Sequence, residues 1–328
     1  MADLLDDGKS SWENFKLFSS DRISSRVMET FIYASKKSML RPLLSLFMVP
    51  NVGFLLKNDT ANYVLQAFFT HCTSKSLSLD LFNAISSQLL QKGLEPRRIG
   101  LLYKIVKSEL IPTSLTHPFL VNSIKNSFRL NPDGADNCAL ALLSSNVPTT
   151  RRGPSRHFEA KEFHPIGCAI LIHLFSSHPT TDSQILLDQF IEIPISILFR
   201  LGMDASGSRV LETVFSSPVI GKKKSERLFK KLFAASLAET EQCSMAKWAE
   251  NTFGSRVVEA IFLSVPLDQK LILAQYLSDY IKELRKPRSK GQYVIKSCML
   301  DEFILSKSNW IKILAERKKK ACASNKLT

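Results

Sequence analysis

Apolar residues return at three- and four-residue intervals along most of this chain, the spacing of helix faces rather than of strands. Val257, Val258, Ile261 and Phe262 mark one such face, and Val210, Leu211, Val214 and Phe215 mark another. No stretch alternates convincingly as a β-strand would. The polar residues between the apolar ones also recur. ISSRVMETF at 23–31, TANYVLQAF at 60–68, SGSRVLETVF at 206–215 and FGSRVVEAIF at 253–262 read alike, and KGQYVIKSC at 290–298 fits the same frame. Each has a small residue, a polar residue, Arg or Tyr, two aliphatics, then Glu, Gln or Lys.

With the first polar residue as phase marker, the clear positions are Ser25, Asn62, Ser208, Ser255 and Gln292. The interval from 62 to 208 has room for three weaker repeats, placed at Leu101, Asn137 and Cys168. The seven steps are then 37, 39, 36, 31, 40, 47 and 37 residues. Stretches such as Met39–Met48 and Ser225–Leu237 read as partner helices, and Asp21, Asp204 and Asn251 stand where helix caps belong. A helical unit of this size cannot bury its apolar face alone, so neighbours stack. The expected fold is all-α: a curved α-solenoid of about eight repeats over residues 1–316, followed by a basic tail at 317–328. Thr149–His157 is expected to be a surface loop, and Gly221–Lys224 an insertion in the long 47-residue step.

Composition narrows the function. The chain has 328 residues, 45% of them hydrophobic, and 44 Lys and Arg against 30 Asp and Glu leave a net charge of +14. Residues 282–328 alone hold 13 basic and 4 acidic side chains. Such an end, with Arg317-Lys318-Lys319-Lys320, suits nucleic acid or a nuclear address. The most apolar run, Leu43 to Leu56, is interrupted by Pro50 and Asn51 and falls short of the roughly 20 residues of a spanning helix, so no membrane association is expected. Six scattered cysteines with no CxxC pair predict packed thiols, and the nearby His164, Cys168 and His173 lack a second ligand cluster, so no metal is expected. Gly202 to Arg209 has the two glycines of a P-loop but Ser208 where Lys is required. No catalytic motif or cofactor site emerges, and the chain reads as a non-enzyme.

The recurring polar residues point instead to recognition. Residues four apart share a helix face, which pairs Ser25 with Glu29, Asn62 with Gln66, Ser208 with Glu212, Ser255 with Glu259 and Gln292 with Lys296. Beside the first member sits a flat side chain able to stack on a base: Arg26, Tyr63, Arg209, Arg256 or Tyr293. One edge-reading pair and one stacking residue per helix is the layout of an RNA reader taking one base per repeat. A carboxylate accepts both guanine donors, N1–H and N2–H, whereas Asn with Gln satisfies the uracil edge.

GSRVLE, GSRVVE, SSRVME and ANYVLQ resemble Pumilio (PUF) repeats, and the likeness spans nearly all of residues 1–300. The SRxxE form, the basic character and the degenerate middle repeats resemble the nucleolar branch, the nucleolar protein 9 group and its plant Pumilio relatives. That resemblance implies an 11-repeat or similar array, of which this chain would lack N-terminal repeats. It implies a nuclear, nucleolar and monomeric protein that binds single-stranded RNA of the small-subunit (18S) ribosomal precursor, acts in its processing and meets pre-ribosomal assembly factors. It further implies that RNA runs antiparallel to the repeats, giving 5′-N-G-G-N-N-N-U-G-3′. The middle triplets Leu101/Leu102/Ile105, Asn137/Cys138/Ala141 and Cys168/Ala169/Ile172 are assigned no base, nor is Gln292/Tyr293/Lys296. The alternatives are a cytoplasmic PUF-type regulator of mRNA and a HEAT- or armadillo-like protein scaffold.

Overall fold

The computed structural model describes residues 8–92, 98–128, 137–144, 163–238 and 243–324. These residues form helices joined by short turns, with no strand among them. Contacts divide the chain into two compact units, Met1–Phe190 and Ile191–Thr328.

The first unit opens with α1 (Gly8–Ser20), α2 (Ser24–Ala34) and α3 (Lys37–Pro42), which passes into a π-helical turn at Leu43–Met48. The partner helix expected over 39–48 is thus present but changes register at Pro42, a residue with no backbone N–H to donate. There follow α4 (Val52–Lys57), α5 (Asn62–His71), α6 (Lys75–Lys92), α7 (Ile99–Lys107), α8 (Thr113–Phe128), α9 (Cys138–Ser144), α10 (Pro165–Ser176) and α11 (Thr181–Ile191). The second unit holds α12 (Ile195–Gly202), α13 (Gly207–Ser216), α14 (Lys222–Leu237), α15 (Met245–Glu250), α16 (Gly254–Ser264), α17 (Leu267–Asp279), α18 (Ile281–Leu284), α19 (Gly291–Cys298), α20 (Leu300–Leu305) and α21 (Lys307–Ser324).

The repeat is legible in this order: a short first helix, a second helix carrying the marked residues, and a third helix behind them. Marked helices pack on one another in a row, α2 on α5, α5 on α7 and α7 on α10 in the first unit, and α13 on α16 and α16 on α19 in the second. Their aliphatic pairs supply the core. Val64, Leu65, Val210, Leu211, Val257 and Val258 are wholly inaccessible to solvent, each burial being favourable by about 1.5–3 kcal/mol. Buried tryptophans stitch layers together by donating Nε1–H to backbone carbonyls: Trp248 to Phe199, and Trp310 to Cys298, both at 2.9 Å.

In four repeats the first and second helices cross so closely that only glycine fits. A Cβ on Gly207 would lie 2.7 Å from the Leu201 carbonyl oxygen, on Gly254 2.7 Å from Trp248 backbone, and on Gly291 2.5 Å from the Leu284 carbonyl oxygen. Gly167 of α10 meets the carbonyl of Leu142 on α9 in the same way. This contact corrects the placement of a marked helix at Asn137. α9 is the first helix of the repeat whose marked helix is α10, and Asn137 serves it as a cap, its Oδ1 accepting from Leu140 N at 2.8 Å. Among the described residues seven helices therefore hold the marked place: α2, α5, α7, α10, α13, α16 and α19. Thr149–His157, the expected loop, lies outside the described residues.

Candidate nucleic-acid interface

Four marked helices, α2, α5, α13 and α16, begin at a side-chain cap four residues before the marker. Oδ1 of Asp21, Asn58, Asp204 and Asn251 accepts from two backbone N–H groups of the following turn, all at 2.7–3.1 Å. The backbone N–H of the marker then donates to the capping residue's own carbonyl, at 3.0 Å for Ser25, Ser208 and Ser255 and 3.3 Å for Asn62. This joint, built from a short polar side chain and a small residue, sets the start of the helix and hence which side chains face outward.

The markers themselves are buried: Ser25 and Ser208 are 2% exposed, Ser255 4% and Asn62 6%. Hydroxyls of Ser25 and Ser255 donate back to Arg22 and Thr252 carbonyls at 3.4 Å. Asn62 is more firmly held, donating to the Asp59 carbonyl at 3.0 Å while its Oδ1 accepts from Gln66 Nε2 at 2.8 Å. Arg26, Tyr63, Arg209, Arg256 and Tyr293 are all exposed beside them, as stacking requires. In the last repeat Gln292 and Lys296 are exposed as well, unlike the buried markers of the other repeats.

Glu29, Glu212 and Glu259 are half-buried on the row. Glu212 Oε1 is inaccessible to solvent and has no hydrogen-bond partner within the protein. Burial pushes the Glu212 carboxyl above the usual range, while Arg256 and Arg209 pull it back. Burial likewise raises Glu259, against a hydrogen bond to Ser297 and the charge of Arg256. Two carboxylates with spare acceptor capacity, flanked by guanidinium groups, are matched to a ligand that brings N–H donors and a stackable face.

The charge of Arg256, the flat residue of one repeat, thus acts on Glu212 of the repeat before it. The same relation fixes the third repeat. A Cβ on Gly100 would sit 3.2 Å from Gln66 Oε1, so Gly100 occupies the flat-residue position on α7. Burial agrees: α7 repeats the alternation of α13 when Arg98 is aligned with Gly207 and Ile99 with Ser208. The triplet here is Ile99, Gly100 and Tyr103, two residues upstream of the expected Leu101, Leu102 and Ile105, which are core. The signal for it was the step of 37 residues from Asn62 to position 99, equal to the steps from 25 to 62 and from 255 to 292. It was obscured because Arg98 replaces the usual small residue. Its buried guanidinium donates to the carbonyls of Lys57 and Asn58 at the end of α4 and pairs with Asp59. The Cys168, Ala169, Ile172 placement on α10 matches the α13 alternation as it stands. His164, near it, caps α10 by accepting from Gly167 N.

Among the described residues no helix is long and apolar enough to cross a membrane, and no three His, Cys, Asp or Glu cluster as for a metal.

The chain spans 43% of the length of the curated relatives it matches. These are the proteins named nucleolar protein 9 from Blastomyces gilchristii (strain SLH14081) and Ajellomyces dermatitidis (strain ER-3), each 20% identical over 94% of this chain. Among solved structures the fold is similar to that of APUM23-GGAGUUGACGG, with a TM-score of 0.77 and 18% identity over 94% of this chain and 56% of that one. It is also similar to the Puf3 RNA-binding domain bound to a Cox17 RNA 3′ UTR recognition sequence, with a TM-score of 0.56 and 15% identity over 96% and 81%. The model of the NOP9-like PUF repeat domain matches residues 4–288, and the chain belongs to that family.

Proposed function

We propose that the marked rows bind single-stranded RNA, with Ser255/Glu259, Ser208/Glu212 and Ser25/Glu29 taking guanine, Asn62/Gln66 taking uracil, and Arg or Tyr stacking between bases. The observation that carries this is the Glu212 carboxylate oxygen, buried and unpartnered beside two arginines on a row that repeats the same geometry. A buried acceptor without a partner costs about 1–3 kcal/mol, which a guanine N–H would recover once the half-buried carboxyl turns toward the base. Gln292, Tyr293 and Lys296 line the end of the row without an assigned base. The names of the relatives support a nucleolar protein, and we extend the proposal to one that acts, as a monomer, on small-subunit ribosomal RNA precursor together with pre-ribosomal assembly factors.

Among the described residues two marked helices rather than three stand between the Ser208 and Asn62 repeats. One base per repeat therefore gives 5′-N-G-G-N-N-U-G-3′, while the RNA of the APUM23 structure contains GGAGUUG, with three nucleotides between GG and UG. The test is binding of this chain at fixed salt to RNAs with two or three nucleotides in that interval, beside copies with both leading guanines changed to adenine. Guanine RNA should bind tenfold or more tightly, about 1.4 kcal/mol or better. Equal binding of the guanine and adenine RNAs would leave only charge-driven affinity. No binding of any RNA would favour a protein scaffold.

A further inference from the structure

Two neighbouring repeats of the first unit keep the backbone geometry of the row but have lost its chemistry. Their edge positions hold Ile99 with Tyr103 and Cys168 with Ile172, and their stacking positions hold Gly100 and Ala169. Neither repeat offers a flat side chain between bases, and none of the four edge residues is a carboxylate or amide. What they carry instead lies one turn further along. Five residues after the marker the seven repeats have Thr30, Ala67, Lys104, His173, Thr213, Ala260 and Ser297. The two basic side chains in this series fall in the two repeats without readers. Lys104 lies four residues past Gly100, on the face a stacking residue would have covered. Lys107, exposed and four residues past Tyr103, holds its ammonium 5.7 Å from the centre of that ring. His173 is half-buried and takes a backbone hydrogen bond with Val106; burial and the charge of Lys107 lower its basicity. The permanent charge of this stretch therefore rests on Lys104 and Lys107, with the exposed Glu109 beyond the helix end.

We propose that the α7–α10 stretch holds RNA by its phosphates and not by its bases, with Lys104 and Lys107 as the contacts. Strand leaving the Asn62 reader meets Gly100 and Ala169 where stacking residues would stand, with the two lysines beside them, so this part of the site is blind to sequence. Phosphate contacts position a strand without reading it, and stacking, absent here, is what a base would lose on removal. The inference rests on the RNA-binding reading above.

The experiment uses the full chain and RNAs in which only the interval between GG and UG changes. With that interval abasic, or with its bases permuted, affinity should stay within about threefold, since no stacking is lost. Neutral methylphosphonate linkages across it should weaken binding about five- to tenfold, as expected for two released counterions. K104A/K107A should show the same loss on ordinary RNA and no further loss on the neutral RNA. A tenfold or greater loss on the abasic RNA overturns the proposal, as does indifference to the neutral linkages or additivity of the two changes. The guanine-to-adenine control separates the two levels. If it no longer discriminates, the underlying RNA reading has failed; if it does and the abasic RNA is poor, only this inference has.

Discussion

At the scale of single residues, the molecule trades stability for an open site. Glu212 has a carboxylate oxygen buried without a partner. Because burial raises its carboxyl in the folded state, folding takes up protons, and its cost to stability grows as pH rises through the folded-state value. Glu212→Gln should therefore raise stability at neutral pH, by on the order of 1 kcal/mol, while abolishing preference for guanine at that position. Parallel melting and RNA-binding measurements check both, and a less stable variant that still prefers guanine would contradict the role. A second contrast concerns one valine position. Val64 is fully buried, whereas its counterpart Val27 is 64% exposed, beside Ile23 at 76%. Val64→Ala should cost about 2 kcal/mol and Val27→Ala within about 0.5 kcal/mol, as read from urea unfolding. The candidate pairs and flat side chains of five repeats were legible in sequence as a pattern, because polar residues recurring in a fixed phase on an apolar helix need a reason. The third repeat was not, because Ile99 and Gly100 at the marked positions look like core until their neighbours show otherwise.

At the scale of elements, α13 and α16 are each positioned by a cap and a glycine crossing. Asn251→Ala removes the acceptor of two N–H groups at 2.8 and 3.1 Å and should cost about 1 kcal/mol. Gly254→Ala should cost more, above about 2 kcal/mol, since the new methyl would strike Trp248 backbone 2.7 Å away and α15 must shift to admit it. Thermal unfolding of the two variants orders them, and equal losses would mean that the crossing is slack. Asp21 does the same work as Asn251, and hydrogen bonds from Ser24 hold its carboxyl below the usual range. Its contribution is present at neutral pH and fades as pH falls through that lowered value. Caps at Asp21, Asp204 and Asn251 could be read from the chain. The first-helix role of α9 could not, because it depends on Leu142 meeting Gly167 across an intervening segment of the sequence.

At the scale of the whole chain, a net charge of +14 sets the strength of any contact with RNA and how that strength responds to salt. Each phosphate neutralised on a single strand contributes about 0.7 to the slope of log affinity against log salt. Replacing Lys319 and Arg317, both exposed on α21, should lower affinity for all RNAs alike and flatten that slope, leaving guanine preference intact. Filter binding at several salt concentrations checks this, and a change in base preference would instead place these residues among the readers. Residues 317–324 of the basic stretch are helical, within α21.

The sequence by itself determined the helical class, the repeat, the family resemblance and most of the residues on the candidate interface. Those properties are local or periodic: apolar spacing, caps and polar phase are written within tens of residues. Only the tertiary structure decided which weak segments are marked helices and where their registers lie. It placed Ile99, Gly100 and Tyr103 on the row, returned Leu101 and Leu102 to the core, and made α9 a first helix. The physical reason is that a degenerate repeat keeps its backbone geometry through contacts with its neighbours, such as Gly100 against Gln66 and Arg98 against the end of α4, and contacts between distant residues leave no period in the chain.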